Sequence, residues 1–363
     1  MKRNIVLMAL TCLIAFGCKE KAVVPFVSQE EMSEIYEQVK VPYKYGFVVL
    51  PLKEGDACDA PTVFRHNDKW FMIWSEFDGR GYETFLSDSD DLVHWEYLGK
   101  ILGYREGKWD AWQRAGYLAL QDYQWGGSYE LEKFDGKYWM GNLGGALQGY
   151  ETDPLSIGIA FTDDAAEPKE WDVLDAPVLS INDDSVQWFD NGTLYRSYIM
   201  EDKEGLTGHR FLMYYNARGT NPESGISAER MGIAFSEDMV SWERYEQNPV
   251  LANEIQGTIT ADGTIQKIGD LYVMFYFRAF VPGKPYAAFN SFACSRDLLH
   301  WYPWEGEDLI YPTEDYDNMF AHKGYVINWK GNTYYFYNAV DTQGHRAIAL
   351  ATSAPMGHSA LSF

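Results

Sequence analysis

Three aspartates and one histidine stand at matching distances from aromatic-rich segments. Asp59, Asp183 and His322 each lie 12 residues before an aromatic residue near the start of such a segment, and Asp262 lies 10 residues before one. Acids that converge in a channel with apolar walls repel one another and lose hydration, which raises the pKa of at least one. One group then donates a proton near neutral pH while an ionised neighbour acts as a base. The spacing therefore predicts a catalytic cluster.

The aromatic segments are predicted to be the second strands of five β-hairpins. Asp-Gly, Asn-Gly and similar pairs in them favour tight turns. In the second hairpin, Gly127 occupies the place that an acid or histidine holds in the others. The predicted turns with their second strands are HNDKWFMIW (66–74), FDGKYWMGNL (134–143), FDNGTLYRSY (189–198), KIGDLYVMFYF (267–277) and WKGNTYYFYNAV (329–340).

A second element follows each hairpin in a fixed order. It is a short strand, then Ser or Thr, an acid and a downstream Trp. Five units of about four strands predict an all-β, five-bladed β-propeller in a single domain, residues 41–363. A sandwich of short strands is the alternative, and the repeated Trp is interpreted as filling the gap between blades. The copies are FLSDSDDLVHW (85–95), AFTDDAAEPKEW (160–171), AFSEDMVSW (234–242), ACSRDLLHW (293–301) and a truncated ALATSAP (349–355).

These motifs resemble the five-bladed propeller glycosidases, glycoside hydrolase family 43 and its relatives, families 117, 32 and 130. DAPTVFRHNDKWFMIW (59–74) is similar to the motif with the general base, so the resemblance gives Asp59 that role. DDSVQWFDNGTLY (183–195) is similar to the motif whose Asp orients the acid and tunes its pKa, which gives that role to Asp183. Asp262 stands where family 43 carries its catalytic Glu, and His322 matches the proton donor of family 117.

The proton donor stays open at this point, with Asp262 favoured over His322 and a further Glu such as Glu201 as the third choice. The resemblance also leaves open a channel Ca²⁺ ion near His322, because some family-43 enzymes hold an ion there. Otherwise no cofactor is required, and no His or Cys spacing indicates zinc.

Tryptophans are the predicted sugar-binding groups, because flat aromatic faces meet the apolar faces of sugar rings. Trp109, Trp112 and Trp125 lie in the segment 108–125, which is predicted to overhang the channel mouth. An outer strand with core tryptophans is the alternative. Trp74 at the end of the first hairpin, and Arg278 after the second strand of the fourth, are further predicted contacts.

Composition excludes some classes of partner. The formal net charge is −23, which disfavours nucleic acid and argues against a basic phosphate site. A sequence with 13 Trp and 26 Tyr among 363 residues has material for a large core and for sugar stacking.

The first residues predict export. Lys2 and Arg3 precede an apolar run that ends at Gly17, which is typical of a signal peptide of residues 1–17. Gly17-Cys18 then resembles the end of a bacterial lipobox, so we expect a lipid anchor at Cys18, a tether over 18–40 that carries a short helix, and a place in the bacterial cell envelope. Cys58 and Cys294 remain, as one disulfide or, more in keeping with the spacing, as two buried thiols.

The favoured function is exo-acting hydrolysis of a terminal sugar, with inversion, in polysaccharide degradation. A furanose or a deoxy sugar is the expected product, and the protein is expected to be a monomer. A catalytically silent glycan-binding lipoprotein and a phosphorylase like those of family 130 are the alternatives.

Overall fold

The computed structural model describes residues 25–363. The predicted signal peptide and Cys18 lie outside these residues. The first elements are α1 (Gln29–Val39) and β1 (Tyr43–Val49). Ser28 caps α1 with the reciprocal Ser–Glu hydrogen bonds of a capping box, and the apolar face of α1 packs on the core. The predicted short helix in the tether is therefore present, and it packs against the domain rather than standing apart from it.

The remaining strands group into antiparallel units of four along the described residues. Unit one contains β2 (Ala57–His66), β3 (Lys69–Phe77), β4 (Tyr82–Ser89) and β5 (Glu96–Leu102). Unit two contains β6 (Gln113–Leu118), β7 (Tyr138–Gly145), β8 (Ser156–Thr162) and β9 (Asp172–Val173). Unit three contains β10 (Thr193–Glu201), β11 (Phe211–Thr220), β12 (Ser227–Ser236) and β13 (Glu243–Arg244).

Unit four contains β14 (Ile259–Ile268), β15 (Leu271–Ala279), β16 (Ala288–Ser295) and β17 (Tyr302–Pro303). Unit five contains β18 (Phe320–Trp329), β19 (Asn332–Val340) and β20 (Arg346–Thr352), and its outer strand is β1 from the other end of the sequence. The last repeat is truncated in sequence because β1 supplies its fourth strand.

The Ser-x-Asp-x-x-x-Trp repeats form the turn before the last strand of a unit. In unit one, Ser89 Oγ accepts a hydrogen bond from the Leu92 amide, and Asp91 accepts from the Val93 amide at 2.9 Å. These contacts hold Leu92 at a positive φ of 69°. Trp95 then packs across to Phe336 of unit five, with ring centroids 5.8 Å apart. The predicted packing between units is confirmed for this Trp.

The core consists of clusters between neighbouring units, which explains why the aromatic second strands are buried. Cys58 and Cys294 are both buried and unpaired, so the interpretation as two buried thiols is confirmed. No helix within residues 25–363 has the length and apolar character needed to cross a membrane.

Candidate active site

Bulges in the first strands of the units aim side chains toward one cavity. The pairing skips two residues after Asp59 in β2, after Ala261 in β14 and after His322 in β18. The first skipped residue in β14 is Asp262, with a φ of 58°, and in β18 it is Lys323, with a φ of 51°. A bulge re-aims the side chain that it inserts. Asp59 and His322 thus occupy equivalent places, and Asp262 lies one residue further along its strand.

The cavity at this end of the strands has a volume of about 290 Å³. Its polar wall combines charges of both signs from units two to five. Its apolar lining comes mainly from units four and five, with Tyr117 and Leu143 of unit two and Tyr195 of unit three. The carboxyl groups are Glu151, Glu229 and Asp262, the cations are Arg196, Lys323 and Arg346, and the aromatic rim is Phe280, Tyr286 and Phe320.

Asp59 lies behind the cavity lining and is saturated with hydrogen bonds. Its Oδ2 accepts from Tyr82 at 2.7 Å and from Lys323 and Arg346 at 3.0 Å each, and its Oδ1 accepts from Asn338 at 2.7 Å. Burial alone would raise the pKa of Asp59, but the charges of Lys323 and Arg346 hold it well below its usual range. A carboxylate held in this way is a poor base, which disfavours the role that the resemblance gives to Asp59.

Glu229 is a carboxyl group of the cavity that tends to keep its proton. It lies on β12 where units three and four meet, next to Ile259 of β14. Burial raises the pKa of Glu229 to about 8, and the nearby carboxyl groups of Glu151 and Asp262 act in the same direction. The amide Nδ2 of Asn216 donates to Glu229 Oε2 at 3.5 Å. Glu229 is therefore placed and protonated as a general acid requires.

Glu151 comes from the loop between β7 and β8 and carries a compensated charge. Lys323 Nζ lies 3.0 Å from Glu151 Oε1 and equally close to Asp59. Next to it, the Tyr150 hydroxyl accepts a hydrogen bond from Arg346 at 2.7 Å. The cavity thus holds a carboxylate beside a carboxylic acid, the combination that glycoside hydrolysis uses.

Asp262 and His322, the two favoured proton donors of the sequence analysis, differ from Glu229 in their surroundings. Burial raises the pKa of Asp262, although the charges of Arg196 and Lys323 oppose that rise, and Arg196 lies 3.6 Å away. Burial and the charges of Lys323 and Arg346 lower the pKa of His322 to about 3. A neutral His322 has no imidazolium proton to give at neutral pH, which disfavours its predicted role as proton donor.

The residues around His322 do not fit a calcium ion. The two cations that flank His322 and Asp59, Lys323 and Arg346, already occupy the oxygen of Asp59 that an ion would need. Across residues 25–363, no group of three or more His, Cys, Asp or Glu side chains is arranged to hold a metal.

Comparison with solved structures decides the family. A structure described as a complex of BT0996 with RGII is 51% identical, covers 93% of this protein and 99% of its own length, and has a TM-score of 0.92. Another, described as "Glycoside hydrolase", is 50% identical over the same shares of the two proteins, with a TM-score of 0.91. This protein belongs to the β-propeller glycoside hydrolases. A thermostable family-43 glycoside hydrolase at 16% identity, TM-score 0.60, covering 86% of this protein and 98% of its own length, shares the fold.

No protein-family model matches this glycoside hydrolase, and no curated protein matches it. The resemblance to propeller glycosidases is nevertheless confirmed by the solved structures, as is its glycosidase activity.

Asp183, which was predicted to lie at the same place as Asp59, does not line the cavity of the glycoside hydrolase. It lies in the loop before unit three, where Arg244 pairs with it at 2.8 Å and the Ser180 amide donates to it. Asn191-Gly192 comes before the first strand of this unit, not between its first and second strands. The segment after Asn191-Gly192, predicted to be the second strand of a hairpin, is therefore the first strand of unit three, β10. For this reason Asp183 and Asp59 do not occupy equivalent places.

The predicted sugar-binding tryptophans are also corrected, since none of them lines the cavity. Trp74 is fully buried on β3 and donates to Ser87. Trp109 covers the backbone of Gly144 in unit two, Trp112 packs on Tyr104 and Trp125 packs on Phe275. The segment 108–125 does not overhang the mouth, because it contains β6, the first strand of unit two.

Two further predicted residues lie away from the cavity. The guanidinium of Arg278 sits over the ring of Phe289, 5.8 Å from its centroid. Glu201, the third choice for the acid, pairs with Arg210 at 2.9 Å at the far end of β10.

Sequence reasoning missed Glu229 and Glu151. A signal for Glu229 was present, because strand alternation places it on the same face as the buried Met231 and Ile233. An acid on the apolar face of a strand is unusual and indicates a functional position. Glu151 lies in a loop outside every repeat, and the sequence holds no such signal for it.

Proposed function

We propose that this glycoside hydrolase removes a terminal sugar, with Glu229 as the proton donor and Glu151 as its partner. The observation that carries the proposal is the raised pKa of Glu229, about 8, in a cavity that also holds Glu151 beside Lys323. Glu229 protonates the leaving oxygen. Glu151 takes a proton from the attacking water, and Lys323 and Arg346, anchored by Asp59, hold the polar wall in place.

The size of the cavity supports exo action. Its volume of about 290 Å³ lies just below the roughly 300–1,000 Å³ range of small-molecule pockets. A pocket of this size accommodates a terminal sugar better than the middle of a long polysaccharide. The exposed ring of Tyr286 at the rim then faces the part of the substrate that leaves.

We propose inversion as the stereochemical outcome, by direct displacement. NMR of the first product formed tests it, because an inverting enzyme releases the anomer opposite to that of the substrate. Release of the same anomer would make Glu151 a nucleophile and would contradict the direct displacement.

An RGII oligosaccharide is the substrate that we propose. The support is the relative at 51% identity, whose structure is described as a complex with RGII. Incubation of RGII-derived oligosaccharides with the enzyme, followed by chromatography, should show one monosaccharide and a shortened oligosaccharide. Unchanged oligosaccharides after long incubation would contradict this choice.

The charges in the cavity favour hydrolysis over phosphorolysis. Lys323 pairs with Asp59 and Glu151, Arg346 pairs with Asp59, and Arg196 faces Asp262. The cations are therefore compensated, whereas phosphate needs free positive charge. Turnover should be independent of added phosphate.

The remaining proposals concern architecture and location. We propose that the five four-stranded units are the blades of a five-bladed propeller, that the protein is monomeric, and that residues 1–17 direct export with lipidation at Cys18. Size-exclusion chromatography with light scattering tests the monomer. Metabolic labelling with a fatty acid tests the anchor, because Cys18→Ser should abolish incorporation and the transfer of the protein to the membrane fraction.

A further inference from the structure

Arg196 is a buried cation whose hydrogen-bonding groups are incompletely used. Its side chain is 3% exposed and it lines the cavity. Its Nε and one terminal nitrogen have no hydrogen-bond partner among residues 25–363, and Asp262 lies beyond hydrogen-bond distance at 3.6 Å. Its guanidinium is held against the ring of Tyr117, 4.8 Å from the centroid. The group is therefore fixed in position with donors to spare.

Asn216, on the neighbouring strand β11, is also a buried polar residue with an unused hydrogen-bonding atom. It is buried, it lines the cavity, and its Oδ1 has no hydrogen-bond partner in the described part of the protein. Its Nδ2 reaches Glu229 at 3.5 Å. Unpaired donors on Arg196 and an unpaired acceptor on Asn216 thus lie in one cavity with the proposed proton donor.

A buried polar group without a hydrogen-bond partner destabilises the folded protein, and a charged group does so more strongly than a neutral one. Such a cost is tolerated where a ligand supplies the missing partners. A sugar hydroxyl can do so for both residues, because its oxygen accepts from a guanidinium while its hydrogen is donated to an amide oxygen.

We infer that Arg196 and Asn216 are substrate-binding residues that select the terminal sugar through its ring hydroxyls. The inference rests on the proposed function of the cavity. Because Asn216 also contacts Glu229, the same interaction places the sugar beside the proton donor. A sugar that lacks the hydroxyl leaves both groups buried and unpaired, so the enzyme rejects it.

The test measures binding without turnover. Isothermal titration calorimetry of an RGII-derived oligosaccharide is carried out in the Glu229→Gln background, with and without Arg196→Gln or Asn216→Ala. We expect Arg196→Gln to raise Kd at least tenfold, since hydrogen bonds to charged groups contribute about 1.5–3 kcal/mol, and Asn216→Ala to raise it severalfold. Arg210→Gln is the matched control, because that arginine is 48% exposed and lies outside the cavity.

Unchanged affinity in both variants, with native circular dichroism, would overturn the inference. If Arg196→Gln does not fold, the Kd of Asn216→Ala alone tests the inference, and an unchanged Kd in that variant overturns it. Failure of the proposed function is a separate result, seen as turnover that persists in Glu229→Gln. If the RGII-derived oligosaccharide does not bind to Glu229→Gln, the proposal that it is the substrate is wrong. The same titrations are then carried out with a panel of free monosaccharides. Binding of no monosaccharide, or equal binding by Arg196→Gln, would also overturn the inference.

Discussion

Neighbouring charges give the carboxyl groups around the cavity opposite properties. Asp59 accepts from two cations, which lower its pKa, whereas burial and the acids nearby raise the pKa of Glu229 to about 8. Asp59 therefore acts as a counter-ion that positions Lys323 and Arg346. The difference follows from contacts between distant parts of the sequence, since Lys323 lies 264 residues after Asp59.

Replacing Glu229 by Gln should lower kcat by about 10²–10⁴-fold, the usual contribution of a general acid. In the wild-type enzyme, kcat/KM should fall as the pH rises through about 8, because the proton on Glu229 is then lost. That alkaline decline should be absent from Glu229→Gln. Steady-state kinetics across pH checks both points. Glu223→Gln, at an exposed position of the same unit, is the control, and an equal loss there would contradict the assignment.

Asp59→Asn should lower the free energy of unfolding at neutral pH by about 3–5 kcal/mol, because it removes the carboxylate partner of Arg346 and one of the two carboxylate partners of Lys323, and both cations are largely shielded from water. The native pKa of Asp59 is below its ordinary value, so its contribution is complete above that ordinary value and is lost as the pH falls through the native pKa. Urea denaturation should show the difference from wild type shrinking below about pH 4. Asp68→Asn, whose side chain is 91% exposed, should have little effect at any pH.

At the level of elements, hairpins and bulges place the site. Tight turns at Asn67-Asp68 and Lys330-Gly331 have the positive φ values that two-residue hairpins require. The bulges that follow Ala261 and His322 then turn the side chains of Asp262 and Lys323 toward the cavity.

Local signals explain what the sequence could predict. The turn pairs and the Ser-x-Asp-x-x-x-Trp spacing are written in consecutive residues, so the repeat and most hairpins were predictable. Unit three was misread because Asn191-Gly192 has turn composition but precedes β10. The partners of Asp59 were not predictable, because only the closed fold brings Arg346 and Lys323 to it.

The aromatic rim should control binding of the leaving part of the substrate. Tyr286 is 70% exposed and stacks on Phe280 with centroids 4.6 Å apart. Tyr286→Ala should raise KM for the oligosaccharide by about 2- to 12-fold, the equivalent of 0.5–1.5 kcal/mol of stacking. Tyr286→Phe should retain the wild-type KM.

The effect of Tyr286→Ala should disappear with a glycosyl fluoride, whose leaving group is too small to reach the rim. Tyr97→Ala, at a 49% exposed tyrosine of β5, is the matched control. An equal rise in KM for both substrates would mean that Tyr286 acts on the terminal sugar instead.

On the scale of the whole molecule, β1 unites the two ends of the sequence by pairing with β20 from Tyr43 to Val49. Phe47, Val48 and Val49 are buried in this strand. Burial of three such side chains contributes roughly 5–9 kcal/mol, which is comparable to the whole stability of a typical protein.

Removal of residues 25–49 should therefore abolish cooperative unfolding and expose the edge of β20 to aggregation. Circular dichroism melting and light scattering check this. A protein that starts at residue 25 is the control, and its melting temperature should equal that of the protein with all 363 residues. A sharp, unshifted transition in the shorter protein would show that unit five is stable with three strands.

The position of β1 also fixes the order of events during synthesis. Among the strands β1 to β20, β1 leaves the ribosome first, whereas its partner β20 spans Arg346–Thr352. The nascent polypeptide must therefore keep β1 unpaired until the other nineteen strands have been synthesised, and the final closure is a contact of very large sequence separation. Any helper that shields an unpaired strand would act during this interval.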